Sequence, residues 1–71
     1  MLSEPEIFRL TQKVYFLSKA NGMSKGTEYV KPLKEAVREA TAAGVPKHKI
    51  KSAIEIGYET GTDWRSRRSK K

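Results

Sequence analysis

Residues 36–55, AVREATAAGVPKHKIKSAIE, restrict the folds open to this chain more than any other stretch, because their spacing prescribes two short helices joined at a sharp bend. Ala40 precedes Gly44 by one helical turn, so it falls on the inner face of a helix that Gly44 ends by taking a positive φ. Val45 follows as a small plug. Ile50, Ala53 and Ile54 then share one face of the next helix, turned toward Ala40. An alanine at the crossing lets the second helix approach closely.

The series Ala40, Gly44-Val45, Ile50, Ala53-Ile54 resembles the helix-turn-helix unit of phage repressors and related DNA-binding proteins. The resemblance is confined to this stretch, and two positions depart from the usual pattern. Ala43 stands where a larger aliphatic is common, which thins the core. Pro46 follows the valine and serves as the first residue of the next helix, where its fixed φ fits and its missing N–H costs nothing. The same spacing also suits any small helical protein in which a glycine-terminated helix leads into another.

A chain of 71 residues makes one domain with a modest core, and dimerisation would supply burial that it lacks. There is no cysteine, so neither a disulfide nor a thiolate metal site staples it, in keeping with a reducing cytoplasm. No apolar run spans a membrane, and the acidic, polar start MLSEPEIF does not read as a secretory signal, so a cytoplasmic protein is expected. The net charge is +7, and its distribution is uneven. Residues 1–45 carry seven basic and five acidic side chains, whereas residues 46–71 carry eight and three. Positive charge gathered beside a candidate reading helix favours a polyanion, since each neutralised phosphate releases counterions.

Taken in order, Ser3 and Glu6 form a capping box around Pro5 and open a first helix whose stripe is Ile7, Leu10, Val14 and Leu17. Phe8, Tyr15 and Phe16 widen that stripe into a surface suited to a homodimer or another partner. The helix is expected to end near Ala20, before Asn21-Gly22. Residues 21–31 read as a loop, with Met23, Tyr29 and Val30 folding back over the core, although Thr27, Tyr29 and Val30 also suit a short strand. A second helix begins near Lys31 with Pro32 as its first residue, or as early as Thr27. Its inner face is Leu33, Ala36, Val37 and Ala40.

A third helix runs from Pro46 to about Glu59, with Ile50, Ala53, Ile54 and Tyr58 inward. Gly57 weakens it and suggests close approach by another helix, while Gly61 is its natural end. The fold class is therefore all-α: a small three-helix domain over residues 1–62 containing the helix-turn-helix, followed by a flexible basic tail over residues 63–71. Trp64 would pin that tail to the domain.

The resemblance implies that the outer face of the third helix enters the major groove, with Lys47, His48, Lys51, Ser52 and Glu55 as base contacts. Lys47 and Lys51 can donate to guanine edges, and Glu55 can accept from cytosine. Lys34, Arg38 and Lys49 would meet the backbone, as would Arg65, Arg67, Arg68, Lys70 and Lys71 of the tail. A charged helix face is also ordinary wet surface. His48 has no companion ligands for a metal. No nucleophile with a base, no phosphate-cradling glycine loop and no paired carboxylates point to an enzyme or a cofactor.

The sequence thus predicts a sequence-selective binder of double-stranded DNA, a transcriptional regulator or a recombination or architectural accessory factor of phage or mobile-element type. Two copies joined through the first helix would read successive half-sites. A module binding an acidic protein partner is the alternative. RNA binding is disfavoured by the absence of a sheet with stacking aromatics.

Overall fold

A computed structural model describes residues 3–24 and 26–69 of the chain, with side chains through 67. Three helices make up the fold: α1 (Glu4–Met23), α2 (Val30–Ala43) and α3 (Lys47–Ser69), with no strand among the described residues. The domain is all-α, and it is elongated, 48 × 20 × 16 Å, because α3 alone has 23 residues.

α1 starts at Glu4, with Pro5 inside its first turn as expected and Glu4 and Glu6 placed where their charge suits the positive end of the helix dipole. The capping box does not form. Ser3 Oγ instead donates to Glu6 Oε1 at 3.3 Å, and neither side chain caps a backbone amide. α2 starts at Val30, after a turn in which the Val30 amide bonds the Thr27 carbonyl at 3.1 Å. Pro32 then falls within the first turn, where it breaks no helical bond.

The bend after α2 follows the sequence expectation. Gly44 has φ 100°, and the amides of Gly44 and Val45 close on the carbonyls of Thr41 and Ala40 at 3.1 and 3.0 Å. Pro46 stands just outside α3, its carbonyl accepting from the amides of Lys49 and Ile50 at 3.0 and 3.2 Å. Ala40, Val45, Ile50 and Ala53 belong to one buried cluster with Leu10, Val14 and Ala36, and Ile7, Leu17, Leu33, Val37 and Ile54 pack around it.

α3 begins beside the N-terminal half of α1, where His48 and Ser52 face Phe8 and Thr11 across a groove. It then runs parallel to α1, with Gly57 against Tyr15 and Ser18, and Gly61 against Lys19 and Gly22. α2 connects the far end of α1 back to this start.

The expected helix ends at Asn21-Gly22 and at Gly61 are incorrect: α1 continues to Met23 and α3 to Ser69. The glycines are there for proximity. A Cβ on Gly57 would lie 2.6 Å from the Tyr15 carbonyl oxygen and 3.0 Å from Ser18 Cβ. One on Gly22 would lie 2.6 Å from the Tyr58 carbonyl oxygen, and one on Gly61 would run into the Lys19 carbonyl. Gly57 and Gly61, one turn apart, oppose Ser18 and Gly22, also one turn apart, and the two backbones touch along that seam. Ser18, fully buried, donates its hydroxyl to the Ile54 carbonyl at 2.6 Å and so ties α1 to α3. Tyr58, expected to face inward, is 49 % exposed, because the seam leaves no interior volume for a ring.

Of the flexible tail expected over residues 63–71, residues 63–69 instead continue α3, and Lys70 and Lys71 lie outside the described residues. Residues 62–69 are the last two turns of α3, and Arg65 Nη1 donates to the Ser24 carbonyl at 3.3 Å, which fixes this segment to the end of α1. Trp64 stays half exposed and does not bury into the domain.

Candidate nucleic-acid interface

The first turns of α3 are held at one end of the molecule by the buried pair Ile50 and Ala53. With those two residues turned inward, helical periodicity sends the remaining side chains outward. Lys47, His48, Lys49, Lys51, Ser52 and Glu55 are all exposed. Lys34 and Arg38, on the outer face of α2, are exposed as well.

Two grooves flank this face and divide it. The one toward α2, about 430 Å³, has Lys47 and Lys51 on its rim over Val37, Val45 and Ile54. The one toward α1, about 550 Å³, has His48, Lys49 and Ser52 on its rim. Its floor is apolar, made by Ile7, Phe8 and Tyr15 of α1 with Ala53 and Ile56 of α3. Lys47 and Lys51 are thus neighbours one turn apart on one side, and His48 and Ser52 are neighbours one turn apart on the other. Glu55 continues the outer face. Compared with protein-family models, with curated proteins and with solved structures, this chain gives no match.

The residues assigned to the tail do not join this cluster. Arg67 lies sixteen residues beyond Lys51 on the same helix, about 24 Å along its axis at ~1.5 Å per residue. Its Nε pairs with Asp63 at 3.1 Å, a bridge that is mostly solvated. Arg65 is engaged by the Ser24 carbonyl. The Arg68 side chain, Lys70 and Lys71 lie outside the described residues.

Sequence reasoning missed the apolar groove. Ile56 falls outside the inner stripe of α3, yet it stands 55 % exposed along the same groove as Phe8, which is 64 % exposed. The signal was present in the register: four small residues, Ser18, Gly22, Gly57 and Gly61, align α1 with α3 and thereby bring Phe8 and Ile56 to one side. No helix among the described residues is long and apolar enough to cross a membrane.

Proposed function

We propose that the chain is a small double-stranded-DNA-binding protein of the cytoplasm that acts in transcriptional regulation or as an accessory factor in recombination. The observation that carries this reading is the bend between α2 and α3. Its Gly44 φ of 100° and the burial of Ala40, Val45, Ile50 and Ala53 support this reading, since a helix-turn-helix uses a glycine-ended helix and small apolar residues at its turn. At the same time Lys47, Lys51 and Glu55 stay exposed at the start of α3, with Lys34 and Arg38 on α2 for flanking phosphates. The excess positive charge of the second half of the chain supports the same partner.

In this reading Lys47 and Lys51 contact guanine edges or phosphates, and His48, Ser52 and Glu55 complete the base-reading set. Lys49, Arg65, Arg67, Arg68, Lys70 and Lys71 add backbone contacts. Selection of duplexes from a random pool, followed by titration of the winner across salt, is the test. Affinity should fall steeply with salt, and the double variant Lys47→Ala/Lys51→Ala should lose more on the selected site than on random duplex, by about 1–3 kcal/mol per base contact removed. Equal loss on both duplexes would reduce the lysines to phosphate contacts. No measurable duplex affinity at low salt, with saturable binding to an acidic protein instead, would replace DNA by a protein partner.

A further inference from the structure

From the apolar groove between α1 and α3 we infer a homodimer interface occupied by a second copy of this chain. The seam of Ser18, Gly22, Gly57 and Gly61 fills the interior with backbone, so large side chains on its flank have no interior to enter. Phe8 and Ile56 stand 64 % and 55 % exposed on facing walls of one groove. A phenylalanine buries roughly 200 Å² when covered, so Phe8 alone leaves roughly 130 Å² open. With Ile56 and the mostly covered Ile7 and Tyr15, these residues expose on the order of 300 Å² per copy, of which less than half lines the groove.

Two such faces expose about 600 Å² and the grooves cover less than half of it, well below the ~1,200 Å² of a standard specific interface. The dimer is therefore one that dissociates on dilution.

Charge fixes its orientation. Glu4 stands on the α1 wall, and His48 and Lys49 stand on the α3 wall at the same end. A two-fold axis running along the groove lays the α1 wall of each copy on the α3 wall of the other at the same level. Glu4 of each copy then lies about one helical turn from the level of the partner's His48 and Lys49, and Ile56 meets the partner's Tyr15. An axis across the groove would instead stack like wall on like wall and leave these charges unmatched. This arrangement goes beyond the DNA reading and narrows it: the monomer presents the full set, whereas in the dimer His48, Lys49 and Ser52 are covered and only Lys47, Lys51 and Glu55 of α3 remain outside for DNA.

Sedimentation over micromolar to millimolar concentrations tests the interface on the full chain. The average mass should rise from that of the 8.0 kDa monomer toward twice that value. Ile56→Lys should weaken association by about tenfold or more. Trp64→Lys, on an exposed residue about two turns beyond Ile56 that does not line the groove, should leave association unchanged. Glu4→Lys and Lys49→Glu should each weaken it, and the two together should restore it to within about threefold of the parent. Circular dichroism checks that every variant remains helical. A monomer at every concentration, an Ile56→Lys chain that associates normally, or a charge-swapped double variant no better than its singles would overturn the proposal. Measuring duplex affinity on Ile56→Lys keeps the two hypotheses separate, since Lys47 and Lys51 are untouched in it.

Discussion

Replacing Gly57 with alanine tests the seam by the sign of its effect. Helix propensity predicts a gain of about 1 kcal/mol, because alanine restricts the unfolded chain and glycine does not. Packing predicts a loss. The new methyl would lie 2.6 Å from the Tyr15 carbonyl oxygen and 3.0 Å from Ser18 Cβ. A backbone carbonyl has no rotamer through which to yield, so α1 and α3 must separate. Overpacking of this kind costs about 3 kcal/mol at the upper end of its usual range, leaving a net loss of about 2 kcal/mol. For a chain of 71 residues, whose total stability is about 4–11 kcal/mol, that is a large share. It lowers the melting temperature by roughly 8–16 °C. Thermal and urea melts followed by far-ultraviolet circular dichroism read the change. Gly61→Ala should cost more, since its Cβ meets the Lys19 carbonyl more closely than any other contact in the seam. Gly22 and Gly61 oppose each other directly, so once one substitution has parted the helices the second costs less. The double variant should fall short of the sum of the singles by more than about 0.5 kcal/mol. Melts at or above the parent's for Gly57→Ala and Gly61→Ala would refute the seam.

Ser18→Ala removes the hydroxyl that bonds the Ile54 carbonyl at 2.6 Å and should cost about 1 kcal/mol in a urea titration, with the m-value unchanged. Gly44→Ala forces a side chain into φ 100° and should destabilise by about 1 kcal/mol, whereas its effect would be near zero if the bend were loose.

The parts of the fold that local chemistry determines were legible. Gly44 and Val45 mark the bend, and the stripe Leu33, Ala36, Val37 and Ala40 gives α2 its inner face, because both depend on neighbours within a turn. Failures came where tertiary contact overrides local preference. Asn21-Gly22 and Gly61 carry the usual signature of a helix end, but a second helix packed on each glycine makes the continued helix the better-satisfied state. The same override explains the tail: Thr62–Asp63–Trp64 shows no apolar period, yet it remains helical as far as the Arg65 anchor on Ser24 and beyond. In the candidate interface, exposure of Lys47, His48, Lys51, Ser52 and Glu55 followed from the inward direction of Ile50 and Ala53. The division of that face by two grooves did not, since it depends on how α1 and α2 flank α3.

The seam and the groove have one physical origin. Where α1 and α3 meet backbone to backbone, dispersion between closely spaced atoms replaces side-chain burial, so the seam itself holds glycine and serine, while Leu10, Val14 and Ile50 are buried nearer the start of α3. Large apolar residues on those helices are then displaced to the flanks, and Phe8, Phe16 and Ile56 are exposed for that reason. A substitution in the seam should therefore act at a distance. Gly57→Ala parts the helices at one point, and the displacement is carried along α3 to Ile56, which shares a groove with Phe8 of α1, and to Lys47 and Lys51. Association and duplex binding should weaken together in that variant, whereas Ile56→Lys should weaken association while duplex contacts through Lys47 and Lys51 persist. If Gly57→Ala, under conditions where it remains folded, retained both association and duplex affinity, the packing of α1 on α3 would not govern how α3 is presented.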